Sequence, residues 1–332
     1  MGLLGKSRSV RNVRFSQETI VFAIAAAMFV AFSVTLKGFL TPENIISLVQ
    51  NVSILGVLGV GMALTIIGRG IDLSMVANMA ISVAWVLYLA NRGLPLALAL
   101  LCGLALSLFV GLVNGVLVAF LEIPAIFATL AMGLVVYGFG HSVLVNSDVI
   151  FLPGAERWFK AIGGGSLWGA PSPVLWLIAI AVLAFLFLRF TRPGRFIYGV
   201  GDNPMTARIT GVPARATMML QYLISSLIAF IAGVVTATLV NSMNTRVANS
   251  TLVYDVILVV AIGGVSLSGG KGGVRNVIVG TLLIGTLLNG MTIMDMPYTF
   301  QNIVKSVILL IAIVTDSLLN PRDEQTSQQG DI

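Results

Sequence analysis

Charged residues are scarce in this chain of 332 residues. Lys, Arg, Asp and Glu together make up 10% of the sequence and 57% of the residues are hydrophobic, whereas a soluble domain carries about 25% charged residues. A soluble fold could not bury so much apolar side chain, because too much of it would remain at the surface. The composition excludes a soluble domain and, with its long apolar runs, predicts an all-α polytopic membrane protein.

Cysteine and histidine are nearly absent. Cys102 and His141 are the single residues of each type, so an intrachain disulfide is excluded and a histidine-based metal site is not expected. The sequence also offers no Ser-His-Asp set and no Cys/His cluster. We therefore expect no catalytic residue, no metal and no cofactor, and the chain is not predicted to be an enzyme.

Acidic residues are rare within the apolar runs. Asp72 and Asp255 are the candidates for buried acids, whereas proton-driven carriers typically use chains of intramembrane acids or histidines. Any energy for transport is therefore expected to come from another chain. A secondary transporter that works alone remains the less favoured alternative.

Apolar runs of about 20 residues predict transmembrane helices. Pro124 and Pro297 interrupt such runs, and the residue before a proline is disfavoured in a helix. The sequence contains about ten candidate spans: 18–36, 45–67, 73–90, 95–121, 125–145, 173–190, 216–240, 252–267, 276–294 and 300–319.

The basic residues predict which side of the membrane each loop occupies, because Lys and Arg concentrate on the cytoplasmic side. With ten spans and both termini in the cytoplasm, most of the 19 basic residues fall inside: Lys6, Arg8, Arg11, Arg14, Arg69, Arg189, Arg192, Arg195, Arg208, Arg215, Lys271, Arg275 and Arg322. The residues predicted to lie outside are Lys37, Arg92, Arg157, Lys160 and Arg246. The net charge of +6 therefore reflects membrane orientation, and no nucleic-acid partner is predicted.

A glycine-rich stretch, GGVSLSGGKGG at 263–273, invites comparison with a phosphate-binding loop. That loop requires Gly, four residues, Gly-Lys and then Ser or Thr. Val265 occupies the position of the first glycine and Gly272 that of the Ser or Thr. The stretch is therefore predicted to be a tight cytoplasmic turn rather than an ATP site.

Polar residues within and beside the spans have two interpretations. They line a pathway for an uncharged polar solute, or they fix turns and helix contacts, since unpaired amides and acids are costly in lipid. Both interpretations remain open for the candidate residues, which are Asp72, Ser74, Asn114, Thr129, Asp255 and Asn289.

The loop at about 191–215 contains the signals of a short helix. Asn203 is a favourable N-cap, Pro204 suits the first helical position, and Gly211 with Pro213 predicts the end of the helix. A helix of this length is not stable alone. It is therefore predicted to dock against a cytoplasmic partner, or alternatively against a membrane surface rich in acidic lipid.

Three motifs resemble those of a known family, the permease subunits of bacterial ATP-binding cassette (ABC) importers of the ribose, arabinose, xylose and galactose type. They are GRGIDLS at 68–74, PGRFIYGVGDNPMTARITGV at 193–212 and IGGVSLSGGKGGVRNVIVGTLLIGTLLNG at 262–290. The chain departs from the family pattern at Met75-Val76, Val253 and Asn276-Val277. Permeases for branched-chain amino acids and nucleosides share the broader fold and remain alternatives.

The resemblance implies a type II ABC importer-like permease in the bacterial inner membrane. The implied partners are a cytoplasmic ABC ATPase, a periplasmic sugar-binding protein, and a second permease copy or paralogue within the lipid bilayer. The implied domains are a cytoplasmic segment 1–17, a permease domain 18–319 and a cytoplasmic tail 320–332. The residues assigned to coupling with the ATPase are Asn203, Pro204, Ala207, Arg208 and Gly211.

Overall fold

The computed structural model describes residues 17–154 and 157–319. Apart from Gln17, the predicted segment 1–17 lies outside the described residues, as does the predicted tail 320–332. The described α-helices are α1 (Gln17–Thr35), α2 (Pro42–Ile67), α3 (Met75–Asn91), α4 (Leu96–Ala119), α5 (Ala125–Phe139), α6 (Arg157–Gly164), α7 (Ser172–Phe190), α8 (Arg192–Asp202), α9 (Pro204–Ile209), α10 (Ala214–Val240), α11 (Leu252–Ile262), α12 (Val274–Ile293) and α13 (Tyr298–Leu319).

Within the described ranges, 8 helices are long and apolar enough to cross a membrane, with α5 extended by a π-helix at Gly140–Val145. The shorter apolar helices α3 and α11 coincide with the predicted third and eighth spans. Helices α5 and α13 begin directly after Pro124 and Pro297. The prediction of an all-α membrane protein with about ten transmembrane helices is confirmed.

Helices α2 and α10 form the centre of the bundle. In each, 61% of the apolar stretch is buried, compared with 11% for α1 and 6% for α13. Glycines on α4 allow α10 to approach closely, since Gly111 lies against Ser226 and Gly115 lies against Met219. Small residues at helix contacts are typical of membrane bundles, where dispersion forces rather than water exclusion hold helices together.

One end of the bundle, which we call the basic end, is formed by the loops 68–74, 120–124, 191–215 and 263–273. The backbone N–H of Gly270 donates to the carbonyl of Ile67 at 2.8 Å. Gly201 of α8 lies so close that a Cβ there would collide with both of those backbone groups. Three loops that are distant in sequence therefore meet backbone to backbone.

The other end contains short strands, surface contacts and helix α6, whose Gly163 lies close against the backbone of Val235 in α10. Strand β1 (Val149–Phe151) pairs antiparallel with β4 (Ser242–Asn244), and β2 (Ser166–Leu167) pairs with β3 (Ala170–Pro171). Arg246 donates to Asp148 at 2.6 Å. These strands and the helices α6 and α8 were not predicted from the sequence. They lie in loops between the spans and do not alter the all-α class.

The glycine-rich stretch 263–273 is a turn, as predicted. Gly264, Gly269, Gly270 and Gly272 all have positive φ values, of 95°, 93°, 72° and 112°. Residues with a side chain rarely adopt this conformation. The glycines therefore permit the tight path between α11 and α12.

Candidate functional site

The short helix α9 begins as predicted. The Oδ1 atom of Asn203 accepts hydrogen bonds from the backbone N–H groups of Met205 at 3.0 Å and Thr206 at 2.9 Å. Pro204 occupies the first helical position, where its missing N–H is not needed. The cap satisfies two of the free donors at the start of a helix that has only six residues.

One face of α9 is fixed to the rest of the loop. Ala207 is buried and packs in a small cluster with Val200 of α8 and Ala214 of α10. The chain turns away from α9 at Gly211, which has a φ of 83°, and the N–H of Val212 donates to the carbonyl of Ala207 at 2.9 Å. The inner face of α9 is therefore anchored to both neighbouring helices.

The opposite face of α9 is exposed and partly apolar. Met205 is 55% exposed and Ile209 is 80% exposed, and residues four apart lie on the same face of a helix. Arg208 lies beside them, with its guanidinium 3.7 Å from Glu122 Oε1, and Arg215 lies 3.4 Å from the same oxygen. Because these side chains are about half exposed, the ion pairs are screened and weak.

Helix α8 connects α9 to the centre of the bundle. Thr191 caps its start by accepting from the N–H of Gly194 at 3.1 Å, and Gly201 near its end contacts Ile67, the last residue of α2. The Tyr198 hydroxyl donates to the carbonyl of Gly272 at 2.9 Å. Burial raises the pKa of the Tyr198 phenol, which keeps it a neutral donor.

Asp72 is the centre of a buried hydrogen-bonded group that we call the Asp72 cluster, consisting of Asp72, Ser74, Asn114 and Ser225. Asp72 Oδ1 accepts from the N–H of Ser74 at 3.1 Å and from its hydroxyl at 2.6 Å, and Oδ2 accepts from Ser225 at 2.8 Å. Asn114 donates to the Ser74 hydroxyl oxygen at 2.7 Å. All four side chains are fully buried.

Thr129 of α5 holds the same turn from the other side. Its hydroxyl oxygen accepts from the N–H of Leu73 at 3.0 Å and lies 3.0 Å from the carbonyl oxygen of Ile71. The structure therefore brings Asp72, Ser74, Asn114 and Thr129 together around the turn that follows α2. These bonds tie the turn to α4, α5 and α10.

Asp255 lies apart from this cluster. Its partner is Lys305 of α13, whose Nζ lies 2.8 Å from Oδ1 and 3.0 Å from Oδ2. Lys305 also donates to the Thr251 hydroxyl at 3.2 Å. Lys305 falls within the predicted span 300–319, and its partner was not predicted from the sequence. A lysine in a membrane helix is itself a signal, because such residues usually face a partner or a cavity.

Asn289 is separate from both groups. It exchanges two hydrogen bonds with Asn44 of α2, at 2.8 Å and 3.1 Å. This reciprocal pair joins α12 to the start of α2. Of the six pathway candidates, four therefore meet at the basic end, while Asp255 and Asn289 occupy two other places.

Comparison of the sequence with those of known proteins identifies the family of the chain. The family described as "Branched-chain amino acid transport system / permease component" matches residues 44–313. The chain belongs to this permease family. The permease is thus a multi-pass membrane transport protein. No solved structure matches it.

Curated relatives of the permease extend over most of its length. It is 32% identical to the ribose import permease protein of Escherichia coli (strain K12), over 89% of this chain and 92% of the relative. It is 34% identical to the galactofuranose transporter permease protein of the same strain, over 82% and 79%. It is 33% identical to the L-arabinose ABC transporter permease protein of Azospirillum brasilense, over 89% and 86%.

Several polar contacts of the permease were missed by sequence reasoning. Ser225 completes the Asp72 cluster from a position 153 residues away. Nearby, Asn78 donates to the Ser107 hydroxyl at 3.0 Å, which in turn donates to the carbonyl of Ser226 at 2.8 Å. The sequence signal that could have indicated these contacts is the pair of adjacent serines, Ser225 and Ser226, in the middle of the apolar helix α10.

Proposed function

We propose that this chain is the membrane-spanning permease subunit of an ABC importer that translocates a monosaccharide or small polyol. A periplasmic binding protein delivers the solute, and separate ATPase subunits supply the energy. The names of the ribose, galactofuranose and L-arabinose relatives support a sugar over a branched-chain amino acid. The polar groups of the bundle, which are mainly hydroxyls and amides, also suit an uncharged solute.

The observation that carries the proposal is the exposed face of α9. Met205 and Ile209 present apolar surface to the aqueous side of a loop, beside the cation Arg208. Methionine and arginine are enriched at protein–protein interfaces relative to the rest of the surface. We assign this face to docking on the ATPase, with Asn203, Pro204, Ala207 and Gly211 maintaining the shape of the helix.

The orientation follows from the distribution of charge. Arg69, Arg208, Arg215 and Lys271 lie in the loops of the basic end, whereas Arg246 pairs with Asp148 at the other end. Because cytoplasmic loops are enriched in Lys and Arg, the basic end faces the cytoplasm of a bacterium, with both termini on that side. This orientation presents α9 to a cytoplasmic ATPase.

The contacts of α8 and α9 define a route for movement. Displacement of α9 acts through Ala207 on Val200 of α8, and then through Gly201 on the end of α2. The turn after α2 is held by the Asp72 cluster against α4 and α10. A push on α9 therefore reaches the helices at the centre of the bundle, and a second permease copy completes the passage that they open and close.

The test is retention of the ATPase. The tagged chain is purified from its native membrane in mild detergent, and ATP hydrolysis by the purified complex is measured. Arg208→Glu places a like charge beside Glu122 and reverses the charge at the docking face, so we expect at least a tenfold loss of retained ATPase. Arg92→Glu, the same change at the opposite end, is the matched control and leaves retention unchanged.

The neighbouring Glu122 permits a second control. If Arg208 serves only its weak pair with Glu122, the double exchange Arg208→Glu with Glu122→Arg restores ATPase retention. If Arg208 contacts the ATPase, the double exchange does not restore it. Full retention by Arg208→Glu alone contradicts the docking role. Solute uptake by proteoliposomes that lack the ATPase contradicts the importer and supports a secondary transporter.

A further inference from the structure

A cavity of about 180 Å³ lies between α11 and α13 and is lined by six polar side chains together with Leu258 and Leu309. The charged residues that line it are Asp255 and Lys305, and the remaining polar lining residues are Thr251, Tyr254, Asn302 and Ser306. The cavity lies away from the basic end, since Thr251 directly follows the segment that continues from β4. Its polar lining contrasts with the apolar character of the rest of α13.

The Asp255–Lys305 ion pair belongs to a hydrogen-bonded network. Lys305 Nζ contacts both oxygens of Asp255 and the hydroxyl of Thr251. The Thr251 hydroxyl lies 2.9 Å from the hydroxyl of Tyr298, and Lys305 Nζ lies 5.6 Å from the centre of the Tyr298 ring. Carboxylate, ammonium, hydroxyl and aromatic groups therefore converge within one small volume.

Structural stability alone does not account for this ion pair. Removing two charges from water costs several kcal/mol per ion, and well-packed apolar residues of similar volume are often equally stable. Helix α13 has only 6% of its apolar stretch buried, so the pair does not serve a tightly packed interface within the subunit. Ionisable groups in membrane helices usually face a water-filled cavity or a pathway.

One side of the cavity is open to the surface. Tyr254, which lines the cavity, is 52% exposed, and the lining residue Ser306 is also exposed. Lipid tails cannot satisfy the hydrogen-bonding groups of such a wall. The open side is therefore expected to face water in the solute passage, in contrast to the apolar residues around the rest of α13.

We propose that this cavity binds the hydroxyl groups of the transported polyol in the outer half of the passage, an inference that rests on the proposed function. A sugar hydroxyl donates to the carboxylate of Asp255 and accepts from the ammonium of Lys305, while the amide of Asn302 can do both. A tyrosine ring offers an apolar surface to the C–H face of a sugar. The paired charges leave the site close to neutral overall, which suits an uncharged solute.

The first test measures access of water to α13. In a Cys102→Ala background, which removes the single native thiol, Ser306→Cys and Val307→Cys are compared in the reconstituted permease. The probe is a charged, membrane-impermeant methanethiosulfonate reagent. Val307 is 51% exposed but does not line the cavity, so we expect Ser306→Cys to react at least tenfold faster. Equal rates overturn the proposal, because they show that the wall faces lipid.

Protection by solute extends the same measurement. Ribose, L-arabinose, xylose and galactose are each added at millimolar concentration during labelling of Ser306→Cys. The transported sugar is expected to slow the reaction at least threefold, while the other sugars serve as controls. If a sugar that is taken up by the wild-type complex gives no protection, the proposed binding site is wrong.

The second test separates binding from structure. The double exchange Asp255→Lys with Lys305→Asp keeps a carboxylate paired with an ammonium group. It swaps their positions, however, so each group of the solute would meet the opposite charge from the one it meets in the wild type. We expect the ATPase to remain in the purified complex and uptake of the radiolabelled sugar to fall at least tenfold. Recovery of at least half of wild-type uptake shows that the pair is only structural and overturns the proposal. Absence of the ATPase from the wild-type complex contradicts the proposed function instead.

Discussion

The two ends of the bundle are built by different means. At the basic end, backbone atoms of α2, α8 and the 263–273 turn are in direct contact, and the Asp72 cluster fixes the adjoining turn with fully buried hydrogen bonds. At the other end, β1 and β4 form a short ladder, and the Arg246–Asp148 pair is exposed.

The difference between the two ends indicates which end of the bundle is suited to transmitting movement. Tightly packed interiors transmit strain, because their atoms leave little free volume. Exposed ion pairs are weak and are screened by salt. A rigid basic end is suited to carrying movement from α9 into the bundle, whereas the short strand ladder and the exposed Arg246–Asp148 pair at the other end are easier to rearrange.

Replacing Asp72 by alanine should cause the largest loss of stability. The substitution leaves the Ser74 N–H, the Ser74 hydroxyl and the Ser225 hydroxyl without their acceptor, and each unpaired buried group costs about 1–3 kcal/mol. We expect a loss of roughly 3 kcal/mol or more, measured by thermal unfolding in detergent. Asp148→Ala at the other end is the control. Equal losses for the two variants would remove the proposed difference between the ends.

Replacing Gly201 by alanine should disrupt the backbone contact between α8 and α2. The new Cβ collides with the carbonyl oxygen of Ile67, and overpacking of this kind costs typically about 1–3 kcal/mol. Gly199→Ala is a matched control in the same helix, because a Cβ there meets no atom within 4 Å. The unfolding midpoint should fall only for Gly201→Ala. A loss of similar size for both variants contradicts the close contact as its cause.

Replacing Asn203 by alanine should affect α9 with little effect on the rest of the bundle. Loss of an N-cap costs about 1 kcal/mol, and α9 is a short helix with an exposed outer face. We expect reduced ATPase retention with a nearly unchanged unfolding midpoint. Asn203→Asp preserves the acceptor oxygen and should retain the ATPase. If both variants lose the ATPase equally, the loss of the N-cap is not the cause of the reduced ATPase retention.

The smallest effect is expected from lowering the pH, which acts on Asp148 at the end opposite the basic end. The hydrogen bond from Arg246 lowers the pKa of Asp148 below its ordinary value of 3.8, and His141 adds to the shift. A carboxyl with a lowered pKa contributes stability above its unfolded pKa and loses it as pH falls through the folded pKa. The difference in unfolding midpoint between wild type and Asp148→Asn should therefore be small at about pH 6 and disappear below the lowered pKa. A pH-independent difference contradicts this assignment.

Local patterns were sufficient to predict much of the fold. The apolar runs predicted the crossing helices, and Asn203 with Pro204 predicted the start of α9, because both signals act within a few residues. The strands β1 and β4 were missed, since their pairing depends on tertiary contacts. Helix α8 was missed although its cap at Thr191 is a local signal.

Contacts between distant residues limited prediction of the sites. Asp72 was recognised as a buried acid, but its partner Ser225 lies on a helix that only the fold brings near. Asp255 and Lys305 were each visible in the sequence as costly charges in membrane helices, yet nothing local indicated that they pair. The docking role of α9 and the pathway roles of these residues remain predictions.

The shortness of α11 has a consequence for membrane insertion. Its 11 residues rise only about 17 Å at 1.5 Å per residue, whereas the hydrocarbon core is about 30 Å thick. Non-helical backbone beside it finds partners elsewhere in the protein, as when Thr245 donates to the carbonyl of Asp148 and Gly270 to that of Ile67. Helix α11 is therefore too short to span the bilayer by itself, and we expect its insertion to depend on the helices that it contacts, which include α2 and α12.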